Sequence, residues 1–351
     1  MGNSDNYIKL KKISESNPRI IISRTDNLGD VVLALPMAGA IRKAIPNAYI
    51  IFLGKVYTKD IIEMSQNVDR FVDWDEIKVQ HESSQINIFK ELNADYFIHA
   101  FPAKQIARLA KKARIPHRIG TTGRLYHWGT CNQLVRFSRR RSELHESQLN
   151  MKLLRPLGID HLFSFDEIIN CYNFIPPADL PDVYREMIDI TRFNLILHPK
   201  SKGSAREWSM QNYSDLINIL PSHKFKVFIS GTESENDFIQ KHLASNHPGI
   251  INIAGKLNLR QFISFIALAD GMVACSTGPL HIAAALGKFA IGIYPPIKPM
   301  HPGRWAPVGV NASYLVQDIE CNKCRESSQC ECIENISPEM IKTKLMDIVN
   351  T

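Results

Sequence analysis

Four stretches of this sequence gather residue types that handle protons or grip phosphate. The first is Arg24-Thr25-Asp26-Asn27-Leu28-Gly29-Asp30, where two carboxylates stand beside an arginine ahead of an apolar helical pattern. A carboxylate at a helix start caps free amide N–H groups. The same group held at a cleft serves as a general base. Both readings stand on the pattern alone. The stretch does not spell GxGxxG, so the dinucleotide fingerprint is absent here.

The second stretch, His198 to Trp208, carries Lys200, Ser201, Lys202, Gly203, Ser204 and Arg206. Cationic and hydroxyl donors on a turning backbone can surround a diphosphate through charge-assisted hydrogen bonds. A solvated basic turn has the same composition. The Gly-Lys-Ser/Thr order of a P-loop is missing. The third stretch, Ser230-Gly231-Thr232-Glu233-Ser234-Glu235, places Thr232 to cap a helix. An acid such as Glu233 at a strand end accepts from a ribose hydroxyl in dinucleotide sites. The fourth stretch runs from Cys275 to Gly287. Ser276 and Thr277 follow a strand, Gly278 permits close backbone approach, and Pro279 suits a first helical turn. His281 and a run of alanines come next. Free N–H groups at such a helix start form an anion site.

Each of these stretches needs an element to hold it. Short β-branched or apolar runs predict strands at 19–23, 49–53, 95–99, 118–120, 193–197, 225–230, 251–254, 271–275 and 289–294. Helical spacing of Val31, Leu35, Ala38, Ile41 and Ile45 predicts a helix after the first strand, kinked or starting late at Pro36. Further helices are expected near 106–113, around Leu149, Leu153 and Leu154, and at 213–220, 259–269, 281–286 and 338–349. Strands alternating with helices mean parallel sheets covered on both faces. The pattern restarts after Phe174-Ile175-Pro176-Pro177-Ala178-Asp179-Leu180-Pro181, whose prolines predict an extended linker. The four chemical stretches then fall at the carboxyl ends of strands, where open parallel sheets bind ligands.

The 351 residues suit two domains, and 44% hydrophobic with 22% charged residues excludes a disordered chain. No run of about 18 apolar residues predicts a membrane span, and the polar start carries no signal-peptide core, which predicts a cytoplasmic protein. The formal charge of +7 suits a phosphorylated ligand or an anionic membrane surface, and by itself does not argue for nucleic acid. Arg136-Phe137-Ser138-Arg139-Arg140-Arg141 suits anionic lipid headgroups or a solvated helix face. Cys321, Cys324, Cys330 and Cys332 are close enough in sequence to hold zinc or iron, to remain thiols, or to pair as disulfides. A reducing compartment disfavours the last.

In this order the motifs resemble glycosyltransferase family 9, the ADP-heptose:lipopolysaccharide heptosyltransferases. Arg24 through Val31 is similar to the family's opening motif: a strand, a basic residue, polar residues, then Gly-Asp-Val. Arg206-Glu207-Trp208 resembles its donor-side loop, and Gly255-Lys256-Leu257-Asn258-Leu259 a later stretch. Ser276-Thr277-Gly278-Pro279-Leu280-His281 with Ala283-Ala284-Ala285 resembles its late motif, except that Ser276 stands where relatives have Asp. The resemblance spans nearly the whole chain. It implies an α/β fold of GT-B architecture, with two doubly wound Rossmann-like domains facing across a cleft. The acceptor-binding domain is expected over 1–175 and the nucleotide-sugar-binding domain over 186–335. A C-terminal helix over 336–351 is expected to pack back on the first domain.

The resemblance also implies an inverting transferase that uses neither metal nor cofactor. It would move a heptose or similar sugar from an ADP-sugar to the lipid A–core oligosaccharide, at the cytoplasmic face of the inner membrane, with no nucleic-acid partner. Asp30 falls on the family's base and Arg206 on its diphosphate-contacting residue. Lys200, Ser201, Glu233, Ser276, Thr277, Gly278, Pro279 and His281 are expected on the donor, and Arg24, Arg124 and Arg139 on the acceptor. Ser276 points to a changed donor. Rival readings are a different nucleotide-sugar, a protein acceptor, or a non-catalytic nucleotide-sugar-binding protein; Asp30 and Arg206 argue against the last.

Overall fold

Each half of the chain builds one fully parallel six-stranded sheet, as the alternating pattern requires. The computed structural model describes residues 13, 16–319, 321 and 330–350. The chain divides into two units, Met1–Ile175 and Pro176–Thr351.

In the first unit the strands are β1 (Arg19–Ser23), β2 (Tyr49–Gly54), β3 (Arg70–Asp73), β4 (Tyr96–His99), β5 (His117–Thr121) and β6 (Gln133–Val135). Their order is β3-β2-β1-β4-β5-β6. β1 is central because Ile20, Ile21 and Ile22 are apolar toward both faces, and all three are fully buried. The strand order reverses between β1 and β4, which opens a crevice at their carboxyl ends. The apolar stretch after β1 forms two helices, Leu28–Val32 and Pro36–Ala44. The break falls where expected, since Pro36 lacks an N–H and is tolerated only in a first turn.

In the second unit the strands are β7 (Phe193–His198), β8 (Phe225–Ile229), β9 (Ile251–Asn252), β10 (Gly271–Cys275), β11 (Phe289–Tyr294) and β12 (Ala312–Val316), in the order β12-β11-β10-β7-β8-β9. The reversal lies between β7 and β10, beside two of the chemical stretches. The proline-rich segment does not hang free. Pro177 accepts a 2.6 Å hydrogen bond from Ser264 Oγ, and Leu180 is buried.

The C-terminal helix Pro338–Asn350 belongs to the second unit. It packs on the helix Met210–Ile219, and Ile341 and Leu345 bury in that unit's own core. Its apolar stripe is matched by Leu216 and Leu220. The basic run 136–141 is irregular chain, not a helix face; the helix that follows begins at Glu146. No helix among the described residues is long and apolar enough to cross a membrane.

Candidate functional site

The chain leaves β1 through Arg24, whose side chain is 3% exposed and organises the first crevice. Its Nε donates to Asp26 Oδ1 (2.8 Å) and its Nη2 to Asp30 Oδ1 (2.5 Å). Its Nη1 donates to Glu146 Oε1 (2.9 Å) and Asn150 Oδ1 (3.1 Å). Arg139 reaches the same acceptors, from Nε to Glu146 Oε1 (2.9 Å) and from Nη2 to Asn150 Oδ1 (3.0 Å). The Ala100 carbonyl, in the loop after β4, accepts from Arg139 Nη2 (2.9 Å) and Arg24 Nη1 (3.4 Å). Both strands of the switch point are thereby tied to one charge cluster.

The cluster sets two guanidinium groups against three carboxylates. Burial raises the Asp26 carboxyl to about 6; Arg24 pulls it down and the neighbouring Asp30 pushes it up again. Burial disfavours the Arg24 charge, but Asp26, Glu146 and Asp30 more than offset this and hold it charged. The cap reading of the two aspartates fails. Asn27 is the N-cap and makes no side-chain cap bond, while both aspartates turn to Arg24. Asp30 accepts from Arg24 through Oδ1, and its Oδ2 has no hydrogen-bond partner among the described residues. A carboxylate fixed by one oxygen and open at the other can take a proton from a substrate hydroxyl.

A polar seam lies alongside. Ser23 and His99 are paired across β1 and β4, and His127 lies 5.4 Å from His99 between ring centroids. Gly120 makes room for it, since a Cβ there would stand 2.7 Å from His127 Nδ1 and Cys131 Sγ. Ser23 Oγ, both ring nitrogens of His99 and His127 Nε2 are buried without a partner among the described residues. Burial, then the charges of His127 and Arg118, push His99 down to about 3.

In the second unit the loops after β7 and β10 meet. The Trp208 N–H donates to Cys275 Sγ (3.3 Å), and its indole Nε1 to the Ile336 carbonyl (2.9 Å). Glu207 shapes the basic loop: Ser201 donates to its Oε1 from N (2.7 Å) and Oγ (2.8 Å), and Lys200 pairs with Oε2. Burial would raise the Glu207 carboxyl, but these bonds outweigh it and hold it low. Lys200 is therefore neutralised by its own loop, while Arg206 stands half-buried beside it.

The helix Gly278–Ala285 begins at this crevice with Thr277 as its N-cap and Pro279 in its first turn. Thr277 makes no cap bond, and its buried Oγ1 has no partner among the described residues. An uncapped helix start with a buried hydroxyl is suited to an anionic oxygen. His281 is buried one turn on, and the Tyr294 hydroxyl, which donates to the Trp305 carbonyl (2.5 Å), lies on the strand next to the one that ends before Ser276. At the neighbouring strand end, Thr232 donates to Glu235 Oε2 from both N and Oγ1 (2.8 Å each), so Glu235 closes the cap. Glu233 is left exposed at the first position of the helix Glu233–His242. Gly255, with φ 71°, lets the loop after β9 lie against it, since a Cβ there would come within 2.7 Å of Glu233 Cα.

Arg24, Asp30 and Arg139 thus share one cluster in the first unit. Lys200, Ser201 and Arg206 share a loop in the second, and Ser276 to His281 share a helix start. Arg124 is exposed before the helix Leu125–Thr130 and joins neither group. Sequence reasoning missed Glu146 and Asn150, which sit on an ordinary helical face. A buried acid just after a capping His145 was the only available signal. Of the four-cysteine cluster, Cys330 and Cys332 are buried in the second unit's core and Cys321 packs against that core, whereas Cys324 lies outside the described residues.

Comparison with known proteins agrees with this picture. Residues 176–333 match glycosyltransferase family 9 (heptosyltransferase). A lipopolysaccharide core heptosyltransferase of Haemophilus influenzae, OpsX, is 31% identical over 179 residues, or 49% of this chain, which spans 50% of that relative's length. A family 9 glycosyl transferase structure from Veillonella parvula superposes with a TM-score of 0.77 at 18% identity, covering 95% of this chain and 97% of that one. The Escherichia coli ADP-heptose lps heptosyltransferase II gives 0.73 at 17%, covering 95% and 98%. The fold is that of the GT-B heptosyltransferases, two α/β units each built on a parallel sheet.

Proposed function

We propose that this chain, whose residues 176–333 belong to glycosyltransferase family 9, moves a heptose or similar sugar from an ADP-sugar to a lipopolysaccharide core acceptor with inversion at the anomeric carbon. The observation that carries the reading is Asp30, clamped by Arg24 through one oxygen and open at the other, at the switch point of a sheet.

Asp30 takes the proton of an acceptor hydroxyl. The freed oxygen forms a bond to the anomeric carbon as the bond to the diphosphate breaks on the opposite face. Positive charge develops on the sugar ring, as in glycoside hydrolysis. ADP leaves with the electron pair. Arg206 and the amides at the start of Gly278–Ala285 meet the negative charge where it grows. Thr277 Oγ1 supplies a further donor to the same oxygen atoms. Glu233, exposed at its helix start, accepts from a ribose hydroxyl. Written this way, the step uses only groups of the chain and its two substrates, and reaction takes place on the cytoplasmic side of the membrane.

Ser276 favours a second reading of the donor alone. An uncharged serine cannot make the charged contacts to sugar hydroxyls that an aspartate makes. The chemistry is kept and the preferred sugar shifts. Transfer assays with ADP-, GDP- and UDP-sugars test both readings. Transfer from an ADP-heptose alone supports the first, transfer from another donor the second. Donor binding with neither transfer nor hydrolysis would leave a binding protein.

A further inference from the structure

We propose that the face of the first unit formed by Leu125, Trp128 and the outward arginines of the 136–141 run docks on an anionic lipid bilayer. The helix Leu125–Thr130 buries His127 and Thr130 and turns two large apolar side chains outward: Leu125 is 91% exposed and Trp128 63%. The indole is pinned, because Trp128 Nε1 donates to the Thr122 carbonyl (3.2 Å). Lys111 Nζ donates to the Gly129 carbonyl (2.8 Å) and holds the far end of the helix.

The basic run lies next to this helix. β5 and β6 are neighbours in the sheet, and the Thr122 N–H donates to the Val135 carbonyl (3.1 Å) just before Arg136. The Phe137 carbonyl lies 3.8 Å from where a Gly123 side chain would begin. Within the run, Arg139 turns inward to Glu146, whereas Arg136, Arg140 and Arg141 are exposed, as is Arg124. None of these four forms a salt bridge among the described residues. The one acid in the stretch 122–144 is Glu143.

The chemistry of the patch selects the partner. Two apolar side chains are far short of the roughly 800 Å² per partner that a stable protein interface buries. A fixed indole and a leucine beside like-signed arginines match a headgroup region, where aromatic rings sit at the polar boundary and basic side chains meet anionic lipid. The patch follows β5 and β6 at the same carboxyl edge of the sheet as the Arg24 cluster. On the proposed function, which this inference rests on for its purpose, docking there brings a lipid-linked acceptor toward Asp30.

Co-sedimentation with vesicles, and quenching of Trp128 by brominated lipid, test the proposal with the full-length chain. Vesicles of phosphatidylcholine with phosphatidylglycerol should bind the protein and quench its fluorescence. Pure phosphatidylcholine should do neither, and high salt should release the protein. Replacing Arg136, Arg140 and Arg141 together by Gln should weaken partitioning roughly 100-fold, at about fivefold per arginine. Leu125→Ser with Trp128→Ser should abolish quenching and most binding while leaving transfer to a deacylated, water-soluble acceptor at its normal rate. Equal binding to neutral vesicles, or wild-type partitioning by both variants, overturns the docking surface. Lipid binding that follows these variants in a protein that transfers nothing overturns the proposed function and leaves the docking surface standing.

Discussion

The two switch points use charge in opposite ways. At the first, one almost fully buried arginine is shared among three carboxylates, and the cluster is closed on nearly every side by its own hydrogen bonds. At the second, the cations lie in a half-exposed loop, and the helix start keeps a buried hydroxyl without a partner. A group that must exchange a proton needs a fixed position and a tuned neighbourhood. A group that must receive an anion needs open donors. On the proposed function, the contrast puts proton handling in the first unit and phosphate binding in the second, and mutations can break that assignment.

The largest effect is expected at Asp30. Asp30→Asn keeps the shape and removes the basicity, so transfer should fall about 100- to 10,000-fold with donor affinity within a fewfold. Steady-state rates beside donor binding by calorimetry decide it; near-normal turnover would move the base elsewhere, with Asp26 the first alternative. Next comes the price of burial. Glu146→Ala removes an acceptor shared by Arg24 and Arg139 in a dry site, leaving Arg24 to Asp26 and Asp30, and should cost about 1.5–3 kcal/mol of stability. Glu207→Ala removes a pair whose side chains remain about a quarter exposed, and should cost about 1 kcal/mol or less from the ion pair. Denaturant unfolding of both variants measures the gap, and equal losses would erase the difference between the two regions.

Arg206→Ala should weaken binding of a nucleoside diphosphate by about 1.5–3 kcal/mol. The free nucleoside should lose far less, because it has no diphosphate for the arginine to meet. Equal losses for the two ligands would remove Arg206 from the phosphate site.

A smaller effect concerns acid. His99 in the folded chain stays neutral until about pH 3, whereas unfolded histidine takes a proton near 6.5. Its contribution to stability is present at neutral pH and is lost as pH falls through that window. Asp26 works in the opposite sense, since its folded carboxyl protonates near 6 and the unfolded one near 3.8. His99→Phe should therefore flatten the fall of Tm between pH 7 and 5, and an unchanged slope would show that His99 does not set it. The finest change is Ser276→Asp. It should alter the ratio of kcat/KM between two ADP-sugars while affinity for ADP moves little, and a constant ratio would place donor choice elsewhere.

Much of the fold was legible because buried parallel strands are apolar on both faces. β1, β10 and β11 were placed at their observed bounds from β-branched and apolar runs alone. β3, β6 and β12 were not, and all three are edge strands. Their residues, such as Arg70-Phe71-Val72-Asp73, cover one neighbour only and need no continuous apolar run. At the site, the motif residues stood out by type and order. Glu146 and Asn150 did not, because their meaning comes from a partner more than a hundred positions away. Where the last helix packs within its own unit was not legible for a related reason. Its stripe announces burial but does not say against what.

Thr277 has a consequence for how the protein holds together. A hydroxyl buried without a partner costs about 1–3 kcal/mol, and the open amides of its helix add to the debt. A bound anion satisfies both at once, so part of the second unit's folding free energy is deferred until ligand arrives. Ligand at 100 times its Kd should add about 2.7 kcal/mol of apparent stability through mass action. On the proposed function, the protein's lifetime at a given temperature is therefore tied to the supply of its donor. Without that anionic ligand, the second unit should be the first part of the chain to open.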